Sequence, residues 1–431
     1  MIRVLYNILL FLVAVPGLFY VLVRAAFQKR YRTGLAQRLG FVPGLPKRPP
    51  GVKRLLVHCA SVGEVRTALP MIRRLEKVDG LELAVSAMTP SGNDLARGSL
   101  PERVPVLFFP AELPAAVRRF LRAVSPDAVA VMETELWPNF LWGAFRRGIP
   151  VCLINGRISD RTFRSYRILS GLFGPLLANL SLVSVQHRRH AERFRRIGGD
   201  GLRVEAVGNM KFDVEEPGEN GSALADLLQA LWPGHAWIWC AASTHEGEEE
   251  IVLRVFDALG ARHPGLRLLL APRHTERADE VYGLIERAGL SCLRRTRADS
   301  EPDGDAAVLL LDTVGELVQA FPLVKAVFMG GTLVPVGGHN VLEPAACGVP
   351  VLFGPHMENF REVRSLLLEA GGGVQVKGES ELSAALERMI SDEGYRKEIS
   401  ERAMAVVGEN RGASARNAEL LLDLMGLSRK A

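Results

Sequence analysis

At 431 residues, 48% hydrophobic and 23% charged, the chain has the apolar material of two or three globular domains, which excludes a small disulfide-stapled module, wholesale disorder and a polytopic membrane protein. The formal net charge is +5, but ten basic residues lie at or before Arg54 and no acidic residue precedes Glu64, so the chain beyond Arg54 carries −5 and lacks the charge balance of a nucleic-acid-binding domain. Five widely spaced cysteines (Cys59, Cys152, Cys240, Cys292, Cys347) without a Cys-x-x-Cys pair read as buried thiols in a reducing compartment.

From Val4 to Val23 no residue is charged, and only Asn7, Pro16 and Gly17 interrupt a run of the ~20 residues that a helix needs to cross a bilayer. The run ends in Arg24 and the basic, aromatic stretch Phe27-Gln-Lys-Arg-Tyr-Arg32, without the small-residue cleavage site of a signal peptide. Residues 1–40 are therefore expected to form an uncleaved membrane anchor with a basic flank, spanning the membrane or lying on its surface. The basic flank is expected to place the bulk of the chain on the cytoplasmic side of that membrane, against anionic lipid.

After a Pro/Gly-rich connector, short apolar runs alternate with helical patterns, the signature of parallel sheets covered on both faces. The predicted strands of the first half are Leu55 to Cys59, Glu82 to Ala87, Val104 to Phe109, Ala128 to Met132, Val151 to Ile154, Leu182 to Gln186 and Arg203 to Val207. A second series runs through Ala236 to Ala241, Leu266 to Ala271, Ala307 to Leu311, Ala326 to Met329 and Val351 to Phe353. The class is α/β, with two Rossmann-like, doubly wound domains (50–212 and 226–431) facing a cleft and joined by a linker at 213–225. Ligands of such sheets sit beyond the carboxyl ends of strands.

The motifs fall at those ends. Ser61-Val-Gly-Glu64 turns the first strand into a helix and offers a carboxylate base, or simply a helix cap. Glu133-Thr-Glu-Leu-Trp-Pro-Asn139 sets two acids after the fourth strand, and Lys211 precedes the linker. In the second half, Ser243-Thr-His-Glu-Gly-Glu248 opens a helix suited to an anion, and Arg273 follows a strand. Gly337-Gly-His-Asn340 with Leu342-Glu343 forms a Gly-rich turn suited to a nucleotide. No Walker A or dinucleotide fingerprint is present, Asp303-Gly-Asp305 reads as a polar turn, and His58/Cys59 and His187/His190 lack the rest of a metal set. No metal or cofactor is expected.

These motifs, with Met88-Thr-Pro-Ser-Gly92, Lys211-Phe-Asp213, Pro272-Arg-His274 and Gly315-Glu316, occur in an order that resembles the bacterial 3-deoxy-D-manno-octulosonic acid (Kdo) transferases over nearly the whole length. The resemblance implies a GT-B fold with an N-terminal anchor and transfer of Kdo from CMP-Kdo to a lipid A precursor. It further implies that Glu64 is the general base and that Glu133 and Lys211 support the transition state. CMP would lie against Pro272, Arg273, Val314, Gly315, Glu316, Asn340, Val341, Leu342 and Glu343. A GT-B enzyme using a UDP-sugar, a nucleotide-sugar epimerase, or a non-catalytic nucleotide-binding relative are the alternatives.

Overall fold

The structure is a computed structural model that describes residues 2–12, 24, 32–214, 223–234, 237–298 and 306–427. The chain forms two compact units, one made of Met1–Asp213 with Arg411–Ala431, the other of Val214–Asn410.

The first unit carries β1 (Lys53–Cys59), β2 (Leu81–Ala87), β3 (Val106–Phe108), β4 (Ala128–Met132), β5 (Val151–Gly156), β6 (Leu182–Val185) and β7 (Val204–Ala206). They pair in parallel in the order β3-β2-β1-β4-β5-β6-β7. Strand residues are apolar on both faces because both are covered. Leu55, Val57 and Cys59 pack under the helix Val62–Leu75, while Leu56 joins Phe120 and Phe140 on the opposite side. Strand order reverses between β1 and β4, the place where a doubly wound sheet opens a crevice.

The second unit carries β8 (Trp237–Thr244), β9 (Leu266–Pro272), β10 (Cys292–Arg294), β11 (Val308–Leu310), β12 (Ala326–Met329), β13 (Val351–Phe353) and β14 (Gly373–Gln375). Their order is β10-β11-β9-β8-β12-β13-β14, again parallel, with the reversal between β8 and β12. The sequence reading omitted β10 and β14. Both are three-residue edge strands, too short and too polar for a hydrophobic run to announce.

One boundary differs from expectation. Residues 411–431 belong to the first unit, whereas the sequence reading carried the second domain to residue 431. The helix Ala413–Met425 buries Ala413, Ala418, Leu421 and Met425 in the core that also holds Val65 and Leu69. Its start is fixed by the Asp213 carboxylate, which accepts the backbone N–H groups of Gly412 at 2.6 Å and Ser414 at 2.5 Å. An amphipathic pattern states that a helix has an apolar face, not which sheet it covers.

Residues 2–12 are helical. The helix docks through Arg3, Tyr6 and Asn7. Asn7 and Asn139 exchange amide hydrogen bonds at 2.9 and 3.2 Å, the Tyr6 hydroxyl donates to Glu112 at 3.3 Å, and the Arg3 guanidinium lies over the Trp142 ring. Val4, Leu5, Ile8, Leu9, Phe11 and Leu12 are left exposed. No helix among the described residues is long and apolar enough to cross a membrane, and residues 13–23 of the expected anchor lie outside them. Most of the expected linker, 215–222, and Asp303-Gly-Asp305 also lie outside.

Candidate active site

At the reversal point of the first sheet, β1 runs through Ala60 into the helix Val62–Leu75, with Ser61 as its N-cap. The Glu64 carboxylate turns back on this corner. One oxygen accepts the Ala60 N–H at 2.7 Å, and the Ser61 hydroxyl donates to the other at 3.3 Å while accepting the Glu64 N–H. The helix cap of the sequence reading therefore exists, and it holds the carboxylate in a fixed pose at the strand end. Glu64 is only 7% exposed. Burial, reinforced by the charges of Glu133 and Glu135, pushes its pKa up to about 7 against the lowering effect of its own hydrogen bonds. A carboxylate so poised can take a proton near neutrality.

Glu133 follows β4 and has a left-handed backbone (φ 52°), uncommon for a residue with a side chain and costly unless the surroundings enforce it. Its N–H bonds the Ile154 carbonyl at 2.8 Å, and its carboxylate receives the Arg157 Nε–H at 2.8 Å. Arg157 had no assigned role. It holds Glu133 to the end of β5 and supplies the cation missing from an otherwise acidic corner. Glu135 also has its pKa raised, first by burial and then by Glu133.

Lys211 sits in the 3-10 turn Met210–Phe212, whose Met210 is buried beside Val65 and Leu69 under the helix that carries Glu64. A second residue missed in the sequence, the fully buried Asn155 (φ 56°), accepts the Met210 N–H at 3.0 Å through its side chain and so fixes this turn to the end of β5. A left-handed Asn cannot be recognised from composition; it shows only once the strand end is known. The structure thus gathers Glu64, Glu133 and the Lys211 turn around the carboxyl ends of β1, β4 and β5.

In the second unit the predicted nucleotide residues follow β9, β11 and β12. Pro272 closes β9 and Arg273 is exposed immediately after it. Val314 and Gly315 form an exposed turn after β11. Glu316 behind them accepts the Thr313 hydroxyl and pairs with the Arg295 guanidinium at 3.1 Å. Asn340 donates to Glu343 at 3.0 Å and accepts the Leu342 N–H at 3.2 Å, bracketing the short helix Leu342–Ala346. Val341 and Leu342 are wholly buried, so their side chains serve the core.

The motif Ser243-Thr-His-Glu-Gly-Glu248 behaves differently from expectation. Its anion is internal: the buried Glu248 carboxylate accepts the N–H groups of His245, Gly331, Thr332 and Leu333 at 2.6 to 3.0 Å. It clamps the loop after β12 onto the end of β8. Among the described residues, no group of three or more His, Cys, Asp or Glu side chains is placed to hold a metal ion.

The chain is 35% identical to a 3-deoxy-D-manno-octulosonic acid transferase of Haemophilus influenzae over 92% of its own length and 91% of that protein's. The chain belongs to the Kdo transferase family. A Bordetella pertussis 3-deoxy-D-manno-octulosonic acid transferase is 31% identical over 86% of this chain and 87% of its own. Residues 33–214 match the family described as 3-Deoxy-D-manno-octulosonic-acid transferase (kdotransferase). Among solved structures, a UDP-GlcNAc 2-epimerase from Neisseria meningitidis bound to UDP-GlcNAc is similar with a TM-score of 0.58, covering 86% of this chain and all of that one. At 13% identity this likeness shows the fold alone, two doubly wound α/β units of the GT-B type. The protein is therefore a glycosyltransferase of the Kdo transferase family.

Proposed function

We propose that this Kdo transferase moves Kdo from CMP-Kdo to a lipid A precursor by direct, inverting transfer without a metal ion. The observation that carries the reading is the Glu64 corner, a fixed, buried carboxyl with a pKa of about 7 at the reversal point of the first sheet. Glu64 takes the proton of an acceptor sugar hydroxyl while that oxygen bonds to the anomeric carbon of Kdo. The bond from that carbon to the CMP phosphate breaks, and CMP departs with the electron pair from the opposite face. Negative charge grows on the departing phosphate, and the cations Lys211 and Arg273 stabilise it, the work a metal does in other transferases. Glu133, held by Arg157, orients the groups around the base.

The same reading places the enzyme at the cytoplasmic face of the inner membrane. A helix on a water-exposed surface turns its polar side outward; the helix at residues 2–12 instead docks by its polar side and presents apolar residues outward, as an interfacial helix does. The basic residues up to Arg54 add attraction to anionic headgroups and to a phosphorylated lipid acceptor.

The test is binding and turnover with matched nucleotides. CMP competes with CMP-Kdo, UDP does not, and Kdo transfer to a tetra-acylated disaccharide lipid persists in excess chelator. Competition by UDP alone, or transfer abolished by chelator and restored by a divalent cation, overturns the donor or the metal-free assignment respectively.

A further inference from the structure

The corner around the base is built of acids: the charged groups that act on Glu64 are the carboxylates of Glu133 and Glu135. A cation stands beside Glu133. Arg157, the first residue past β5, donates its Nε–H to the Glu133 carboxylate at 2.8 Å, and its backbone carbonyl accepts the Thr134 hydroxyl. The segments after β4 and β5 are thus strapped together twice. The following residue is held as well: Ile158 is buried, its N–H meets His190 Nδ1 at 3.3 Å, and its carbonyl accepts the Arg193 guanidinium at 2.7 Å.

Arg157 uses one edge of its guanidinium. Among the described residues its Nη1 and Nη2 groups make no hydrogen bond, and the side chain is 50% exposed while Glu133 beneath it is 13% exposed. Arg193 differs, for both of its Nη groups are committed, one to Ile158 and the other to Asp160. A half-exposed ion pair contributes at most about 1 kcal/mol, and a lysine would supply it. What an arginine adds is a second edge, two parallel N–H donors that match the two oxygens of one oxyanion.

The chemistry calls for such a partner. Kdo is an α-keto acid in its open form, so its carboxylate is bonded directly to the anomeric carbon that the acceptor oxygen attacks. With that oxygen in hydrogen-bond reach of Glu64 and about 3–3.5 Å from the anomeric carbon, the sugar carboxylate comes within roughly 7 Å of Glu64, among three acidic side chains. In the proposed mechanism Lys211 and Arg273 serve the departing phosphate, which leaves the sugar's own charge to be answered. The phosphates of a lipid acceptor are the other oxyanions present, but their distance from the attacked carbon is not set by a single bond.

We propose that Arg157, tethered through Nε to Glu133, receives the carboxylate of the Kdo unit on its Nη1 and Nη2 groups and so seats the reacting carbon before Glu64. This rests on the reading of the donor as CMP-Kdo. Glu133 then aims the guanidinium, and a neutral sugar lacks the contact that an acidic sugar makes at the reacting carbon.

The experiment measures initial rates of Kdo transfer by the full-length protein at pH 8, above the value of about 7 for Glu64, with CMP-Kdo and the lipid varied in turn. It compares wild type with Arg157→Gln, Arg157→Lys, Glu133→Gln and the Arg157→Gln/Glu133→Gln double variant, each shown by circular dichroism to be folded and each titrated with CMP by calorimetry. Arg157→Gln is expected to lower kcat/KM for CMP-Kdo about 10- to 100-fold, the weight of hydrogen bonds to a charged group. The affinity for CMP, which has no sugar carboxylate, and KM for the lipid stay within twofold. Arg157→Lys keeps the pair with Glu133 and recovers only part of the loss; a lysine as active as arginine overturns the two-donor contact. The loss persists when Glu133 is already glutamine, because Arg157 touches the substrate. A double variant no slower than Glu133→Gln shows that Arg157 acts only by holding Glu133, and overturns the proposal. So does a loss that falls on KM for the phosphorylated lipid and vanishes with its dephosphorylated form. A folded wild type that binds CMP yet transfers no Kdo refutes the donor reading instead, whatever the variants do.

Discussion

Burial lifts the Glu64 carboxyl to about 7, and this one shift has opposite consequences for turnover and for stability. The base works in its ionised form, so kcat/KM rises about tenfold per pH unit below 7 and levels off above it. Folding favours the protonated form. The folded carboxyl retains a proton that the unfolded chain releases between pH about 4.5 and 7, so this group's contribution to stability falls as pH rises through that window. Glu64→Gln is therefore expected to lose roughly 100- to 10,000-fold in turnover. The same change gains on the order of 1–3 kcal/mol of unfolding free energy at pH 8, read by urea denaturation. Arg157→Ala removes the partner of Glu133, so the uncompensated charge pushes the rising limb of the pH–rate profile upward by a few tenths of a unit. The Ser-x-x-Glu spacing made Glu64 legible as part of a helix cap, which the structure shows, and as a candidate base, the role the proposed mechanism gives it. Arg157 and Asn155 were not legible, because each acts across strands whose adjacency no local spacing encodes.

Two of the recognised motifs turn out to be fasteners between elements. Glu248 joins the loop after β12 to the end of β8 through four amide N–H groups, three of them from Gly331, Thr332 and Leu333. Glu248→Ala leaves those buried donors without acceptors and is expected to cost about 3–5 kcal/mol, and Glu248→Gln recovers only a minor part, because its amide NH2 replaces an oxygen that accepts two of the four N–H groups. Thermal unfolding of the two variants measures the difference. Asp213 caps the helix Ala413–Met425, so Asp213→Ala destabilises the first unit by about 1–2 kcal/mol without moving KM for the donor. A large rise in KM would place Asp213 in the donor site. Strands buried on both faces were legible as apolar runs, and Ala128–Met132, Ala326–Met329 and Val351–Phe353 coincide with expectation to the residue. The edge strands β10 and β14 were not, because an edge has little apolar surface to declare.

Across the chain, the alternation of apolar runs and helical patterns sufficed for two doubly wound units, while the return of residues 411–431 to the first unit depends on a long-range contact that periodicity leaves unassigned. That return closes the core beneath the helix carrying Glu64, so the far end of the chain supports the base. The charge asymmetry likewise shows only across the chain: its basic N-terminal portion precedes a remainder of net −5, and the proposed placement at an anionic surface draws on that asymmetry. The central claim is that Glu64 drives Kdo transfer to a lipid acceptor. Its most direct test is mass spectrometry of a tetra-acylated disaccharide lipid A precursor after incubation with CMP-Kdo and full-length protein, wild type beside Glu64→Gln. The account predicts mass increments of whole Kdo units with wild type and none with Glu64→Gln, which still binds CMP. An unmodified lipid with folded, CMP-binding wild type, or equal increments from both proteins, would contradict it.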